Sequence, residues 1–197
     1  MSPPSPSGSR ASRPPKPAVE LAADLKLSNE ARTLLRPEMT VVEYFDVLVK
    51  GRQFPDAVRV IAPAMTPKEA GGWGCLCIWS TARPQASPKV EAAVRAAVKW
   101  LREPTDEHRR AAGSAATAAG DTTPAGMVAM AAFFAEGSVA PEGQPKVQAD
   151  LRTSGTLVGE AVLAISRTAG PEPAGGPLVR QFLAIAVDVF RGTNSPK

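Results

Sequence analysis

The chain has 197 residues, 44% hydrophobic and 21% charged, enough for one globular core without a metal or disulfide staple. Aromatics are only 5%, with one histidine, His108, and two cysteines, Cys75 and Cys77, so a histidine metal site, a disulfide scaffold and an aromatic base-stacking surface all lack material. The net charge of +4 comes mostly from Arg10, Arg13 and Lys16; the rest of the chain nearly balances and concentrates no basic face for nucleic acid.

Residues 1–17 hold six prolines and five serines and no large apolar side chain after Met1. Such a segment cannot build a core, so a disordered or polyproline-like tail is expected, followed by a single domain over 18–197. The N-terminus has no apolar stretch for a signal peptide, and the two close cysteines read as reduced thiols. Both suggest a cytoplasmic protein.

Beyond the tail the pattern is helical, with repeated start signals. Thr40-Val-Val-Glu43 is a capping box, followed by Val41, Val42, Phe45, Leu48 and Val49 at helical spacing. Gly51 is read as the left-handed stop of that helix. A second helix is expected from about Pro55 to Ala62. Thr66-Pro67-Lys68-Glu69 combines an N-cap, a proline at the first position and a glutamate at the third. It opens a helix carrying Trp73, Leu76, Cys77 and Ile78. Ser87-Pro88 opens another with Val90, Val94, Ala97, Val98 and Leu101 on one stripe.

Thr105 starts the next helix, whose first turn, Asp106-Glu107-His108-Arg109-Arg110, reads as solvated. Its remainder, AAGSAATAA over 111–119, reads as a closely packed central helix, with an interface helix as the alternative. Thr123-Pro124 opens a helix with Met127, Met130, Ala131 and Phe134 on its inward stripe. Asp121 to Pro124 interrupt the weakly polar region 111–135, so no membrane insertion is expected. Two further helices follow, from about Thr153 to Thr168 and from Pro177 to Arg191. No segment alternates with period two. The expected fold is all-α, a compact domain of about seven to nine helices. The exception is the 138–150 segment, thirteen residues with Pro141, Gly143 and Pro145, long enough to be a functional or mobile loop.

Catalytic and cofactor candidates are sparse. Cys75 and Cys77 sit two positions apart in a helical pattern, about 200° around the axis, and cannot converge on one metal. Gly71-Gly72-Trp73-Gly74 follows no strand and lacks the lysine of a phosphate loop, so it reads as close packing. A pocket beside Trp73 and Cys75 is the alternative. No acid pair stands out, and no catalytic residue, cofactor or metal ligand is assigned. Phe133 lies about 100° off the inward stripe and precedes the proline-containing loop. Phe133, Val139 and Pro141 are therefore candidate partner-binding residues, with a covered Phe133 as the alternative.

Two resemblances add to this. Gly51-Arg-Gln-Phe54-Pro-Asp-Ala57, with Ile61 and Ala64, resembles one hairpin of a tetratricopeptide repeat, though no second copy recurs at 34 residues. Pro37 to Phe45, Trp73-Gly-Cys-Leu-Cys77, Thr123 to Phe134, Gly137 to Pro141 and Arg191-Gly192 resemble an uncharacterised family of small all-helical bacterial proteins, over about 28–192. Gly71 and Gly72 stand where that family suggests larger side chains. The resemblance implies no activity or cofactor, and points to the neighbourhood of secretion or injection machinery. The leading expectation is a non-enzymatic interaction module, an adaptor or accessory subunit. A ligand binder or enzyme using the Trp73 region, and a chaperone for a secreted partner, are the alternatives.

Overall fold

A computed structural model describes residues 17–82, 86–141, 143–168 and 176–191. The expected tail lies outside these, apart from Pro17, which bridges to Thr40 while the Ala18 amide donates to the Met39 carbonyl at 2.8 Å. Pro17, placed in the tail by composition, is thus tied to the domain at Thr40. Among the described residues the elements are ten α-helices and two isolated bridges. They are α1 (Ala18–Ala22), α2 (Asn29–Leu34), α3 (Val41–Lys50), α4 (Phe54–Ala64), α5 (Pro67–Ala82), α6 (Pro88–Arg102), α7 (Asp106–Ala119), α8 (Pro124–Phe133), α9 (Leu151–Thr168) and α10 (Pro177–Arg191). The all-α expectation holds. Helices α1 and α2 go beyond the sequence expectation, because one or two turns carry too little periodicity to mark a helix.

The start signals act as expected. Thr40 and Glu43 cap each other reciprocally, and Thr66 with Glu69 repeats the arrangement at the start of α5. Ser87, Thr105 and Thr123 each accept from the amide three residues on. Each satisfies an otherwise orphaned donor, worth about 1 kcal/mol against alanine.

The α3–α4 hairpin forms, but its turn differs from the expectation. Gly51 has φ −75°, and Arg52 takes the left-handed conformation at φ 59°. A Cβ on Gly51 would lie 3.3 Å from the Val47 carbonyl and 3.4 Å from Leu34 Cδ1, a tight fit that shifts of a few tenths of an ångström would relieve. Arg52 is exposed, so its strain has no packing compensation. Changing Arg52 to glycine should raise stability by about 0.5–1 kcal/mol in urea unfolding; a loss would show that the turn is not strained.

Helix α9 is the organising element. It packs on α4, α5 and α8, while α8 also contacts α5, α6 and α7, and α10 rests on α4, α5 and α9. Close approach needs glycine. A Cβ on Gly155 would come within 2.5 Å of Pro63 Cα, and one on Gly74 within 2.8 Å of Val128 Cγ2. Polar ties fix the layers. Trp73 Nε1 donates to the Phe182 carbonyl at 2.9 Å, joining α5 to α10, and Tyr44 Oη donates to the Ala31 carbonyl at 2.7 Å.

Helix α8 corrects the stripe drawn from sequence. Ala125, Gly126, Val128, Ala129, Ala131 and Ala132 are buried, whereas Met127, Met130 and Phe134 are only half-buried. A helix apolar all round carries no periodic cue to its orientation; its neighbours decide. Helix α7 is likewise less central than expected. Ala112 and Ala116 face the core, and Ala111, Ser114, Thr117 and Ala118 are exposed.

Candidate functional site

The first turn of α7, the end of α8 and the segment 137–150 form one construction. Thr105 caps α7 and Asp106 follows at its first position. An acid there is favoured by the helix dipole and receives arginines three and four residues on. Arg109 Nε and Nη2 donate to Asp106 Oδ1 at 2.9 and 2.6 Å, and Arg110 Nε donates to Oδ2 at 2.8 Å. These bonds hold the Asp106 carboxyl below its ordinary range, with Arg110 the larger cause.

Arg109 corrects the solvated reading of this turn: it is 1% exposed. Its Nη1 donates to the Phe133 carbonyl and its Nη2 to the Ser138 carbonyl, both at 2.7 Å. The guanidinium also lies 4.9 Å from the centre of the Phe133 ring. Gly137, at φ 70°, brings the chain past this group. One buried cation thus closes the end of α8 and clamps the chain leaving it. His108, also expected at the surface, is buried, with Nδ1 2.8 Å from the Glu103 carbonyl.

Beyond the clamp the chain forms a short tongue. Ser138 and Gln148 pair in an antiparallel bridge. Val139 N donates to the Val147 carbonyl at 2.8 Å, and Ser138 Oγ accepts from the amides of Ala140 and Val147. Arg110 Nη1 reaches the Ala140 carbonyl at 3.1 Å. Of the candidate residues, Phe133 is half-buried, packed edge-on to Phe134 at 5.4 Å and facing Gly113, where a Cβ would lie 2.9 Å from its ring. Val139 is half-buried and Pro141 is exposed. The sequence reading missed Val147, which is 54% exposed, and Arg109. The adjacent pair Arg109-Arg110 carried no sign that only one of them is buried.

Trp73 and Cys75, the other candidates, are core residues. Trp73 is wholly buried and committed to Phe182, and Cys75 is 3% exposed. Burial pushes the Cys75 thiol up to about 12, and burial and its neighbour Cys75 push Cys77 up as well. Because the thiolate is the reactive form, both should resist an aromatic disulfide reagent at pH 8 and react together only in denaturant. Fast reaction of either in the native protein would show the helix to be open. Among the described residues no three or more His, Cys, Asp or Glu side chains gather as a metal site, and no helix is long and apolar enough to cross a membrane.

The fold defines a small all-helical domain carrying an arginine-clamped tongue. The chain belongs to a family of unknown function, DUF6931, which it matches over residues 44–190. That span runs from α3 into α10 and includes the whole clamp. Neither the curated proteins nor the solved structures contain a match to it.

Proposed function

We propose that the chain is a non-enzymatic protein-interaction module, an adaptor or accessory subunit in a bacterial cytoplasm, and that the tongue is its docking element. The observation behind this reading is the contrast between how the tongue is held and what it exposes. The base is held by a buried guanidinium, while Val147 and Pro141 stand in solvent. A mounted loop loses little entropy on binding, so its apolar groups contribute more fully to affinity. The two free thiols suit a reducing compartment. A secretion or injection apparatus is the setting that the family resemblance brings to the proposal.

The test is site-specific photocrosslinking in the native host. A photoreactive residue at Gln144, on the exposed tongue, should give a discrete product, and one at Arg95, on the exposed face of α6, should not. Adding Val147→Asp should abolish the product without moving the thermal midpoint. Identical products from both positions, or a product unaffected by Val147→Asp, would refute the docking role.

A further inference from the structure

The two edges of the tongue are unequally covered. The bonds from Val139 N to the Val147 carbonyl and from Ala149 N to the Gly137 carbonyl flank the Ser138–Gln148 bridge. In an antiparallel pair of this kind, the bridged residues turn their own N–H and C=O groups outward, away from each other. On the Ser138 side the clamp takes such groups: Arg109 donates to the Ser138 carbonyl and Arg110 to the Ala140 carbonyl. On the Gln148 side, neither the amide nor the carbonyl of Gln148 has a hydrogen-bond partner among the described residues, and Gln148 is exposed. One edge is therefore occupied and the other is a template for a further strand.

The side chains along the free edge alternate. Lys146, Gln148 and Asp150 fall on one face, and Val147 and Ala149 on the other. Lys146 and Asp150 are exposed, and among the described residues neither has an ion pair; Asp150 Oδ1 accepts from the Arg152 amide at 2.9 Å. A cation two residues before Gln148 and an anion two residues after it make this edge complementary to its own reverse. With a second copy laid antiparallel, Gln148 against Gln148, each Lys146 falls opposite the other copy's Asp150. Each Val147, 54% exposed, falls opposite an Ala149 on the other face. The two Gln148 residues then exchange both of their free main-chain bonds.

We propose that the free edge of the tongue pairs in this register with the same edge of a second copy, giving a two-fold dimer. The main-chain bonds and the valines hold it, and the exposed ion pairs set its register more than its strength. Because the clamp occupies the opposite edge, the pairing closes at two copies and does not grow into a longer sheet. The inference rests on the tongue being a docking element and names its partner.

The interface is small, so a weak, concentration-dependent dimer is expected. Sedimentation equilibrium of the purified full chain, taken to about millimolar concentration, measures it. Gln148→Pro should weaken association by about tenfold or more, since it removes the outward N–H at an edge position and leaves the Val139 and Ala149 bonds in place. Lys146→Glu should weaken it by about tenfold or more, because the change acts twice across the two-fold axis and sets acid against acid. Adding Asp150→Lys to Lys146→Glu exchanges the charges and should restore association. Asp150 also caps α9, so each variant's thermal midpoint is measured alongside, and Gln148→Pro decides if the double variant unfolds. A monomer at every concentration, a dimer that Gln148→Pro or Lys146→Glu leaves unchanged, or a folded double variant that stays monomeric would overturn the pairing. A monomer that still gives the Gln144 crosslink to another protein in the host would refute the self-pairing alone and keep the docking role.

Discussion

Replacing Gly155 with alanine should destabilise the protein by about 2–3 kcal/mol, even though alanine is the better helix former by about 0.5–1 kcal/mol. The added methyl would sit 2.5 Å from Pro63 Cα and 2.6 Å from the Ala62 carbonyl oxygen. Both are backbone atoms, so no rotamer change relieves the contact, and α9 must retreat from α4. One turn on, a Cβ at Gly159 would lie 3.1 Å from Ala62 Cβ, so the same retreat opens that contact too. The Arg59–Glu160 bond crosses this interface and should lengthen with it. Urea unfolding measures the loss. Gly71→Ala is the control, because its methyl meets only the Leu101 side chain, nearest at 3.2 Å, and a leucine end can turn aside. It should stay within about 0.5 kcal/mol of wild type, helped by helix propensity. A Gly155→Ala protein as stable as Gly71→Ala would mean that α4 and α9 do not pack backbone to backbone.

Replacing Arg109 with methionine, similar in bulk but without donors, should cost about 2–4 kcal/mol, because the Phe133 and Ser138 carbonyls lose their partner together. The effect should concentrate in the tongue. Hydrogen exchange at Val139, Val147 and Ala149, whose amides are bonded within it, should accelerate more than at Gln53 in the α3–α4 turn. Uniform acceleration, or none, would remove the clamp from the account. Acid offers a gentler version. The Asp106 carboxyl is held below its ordinary value near 3.8. A depressed folded value contributes stability that is present above the unfolded value and is lost as pH falls through the folded one. Tongue protection should therefore drop on acidification below about pH 4, and Asp106→Asn should remove that step. Asp106 is 60% exposed, so water screens the pair and the acid effect should be much smaller than that of Arg109→Met.

What was legible in the chain was local. Thr40, Thr66, Ser87, Thr105 and Thr123 mark helix starts because a cap needs only the amides of the next turn, and those lie three residues away in any fold. The strongly amphipathic helices, such as α6 with Val94 and Ala97 inward, were legible for the same reason. The 138–150 segment stood out by its length and prolines, whereas the angle of Phe133 was measured from a stripe that the structure redraws.

The sequence by itself therefore determined an all-helical chain, most helix boundaries and a conspicuous connection after α8. The tertiary structure alone decided which face of the uniformly apolar α8 is inside, since no periodicity distinguishes its sides. It decided that Arg109 is buried while Arg110 is not, because the cover is the chain 24 to 29 residues later. It also brought Arg59 to Glu160, 101 residues apart, with the buried Asp56 of the same helix 3.8 Å from its Nη1. Capping and amphipathicity are short-range and are written in neighbouring residues. Burial of a charge and an ion pair between helices arise from distant segments meeting, and no window of sequence contains both partners.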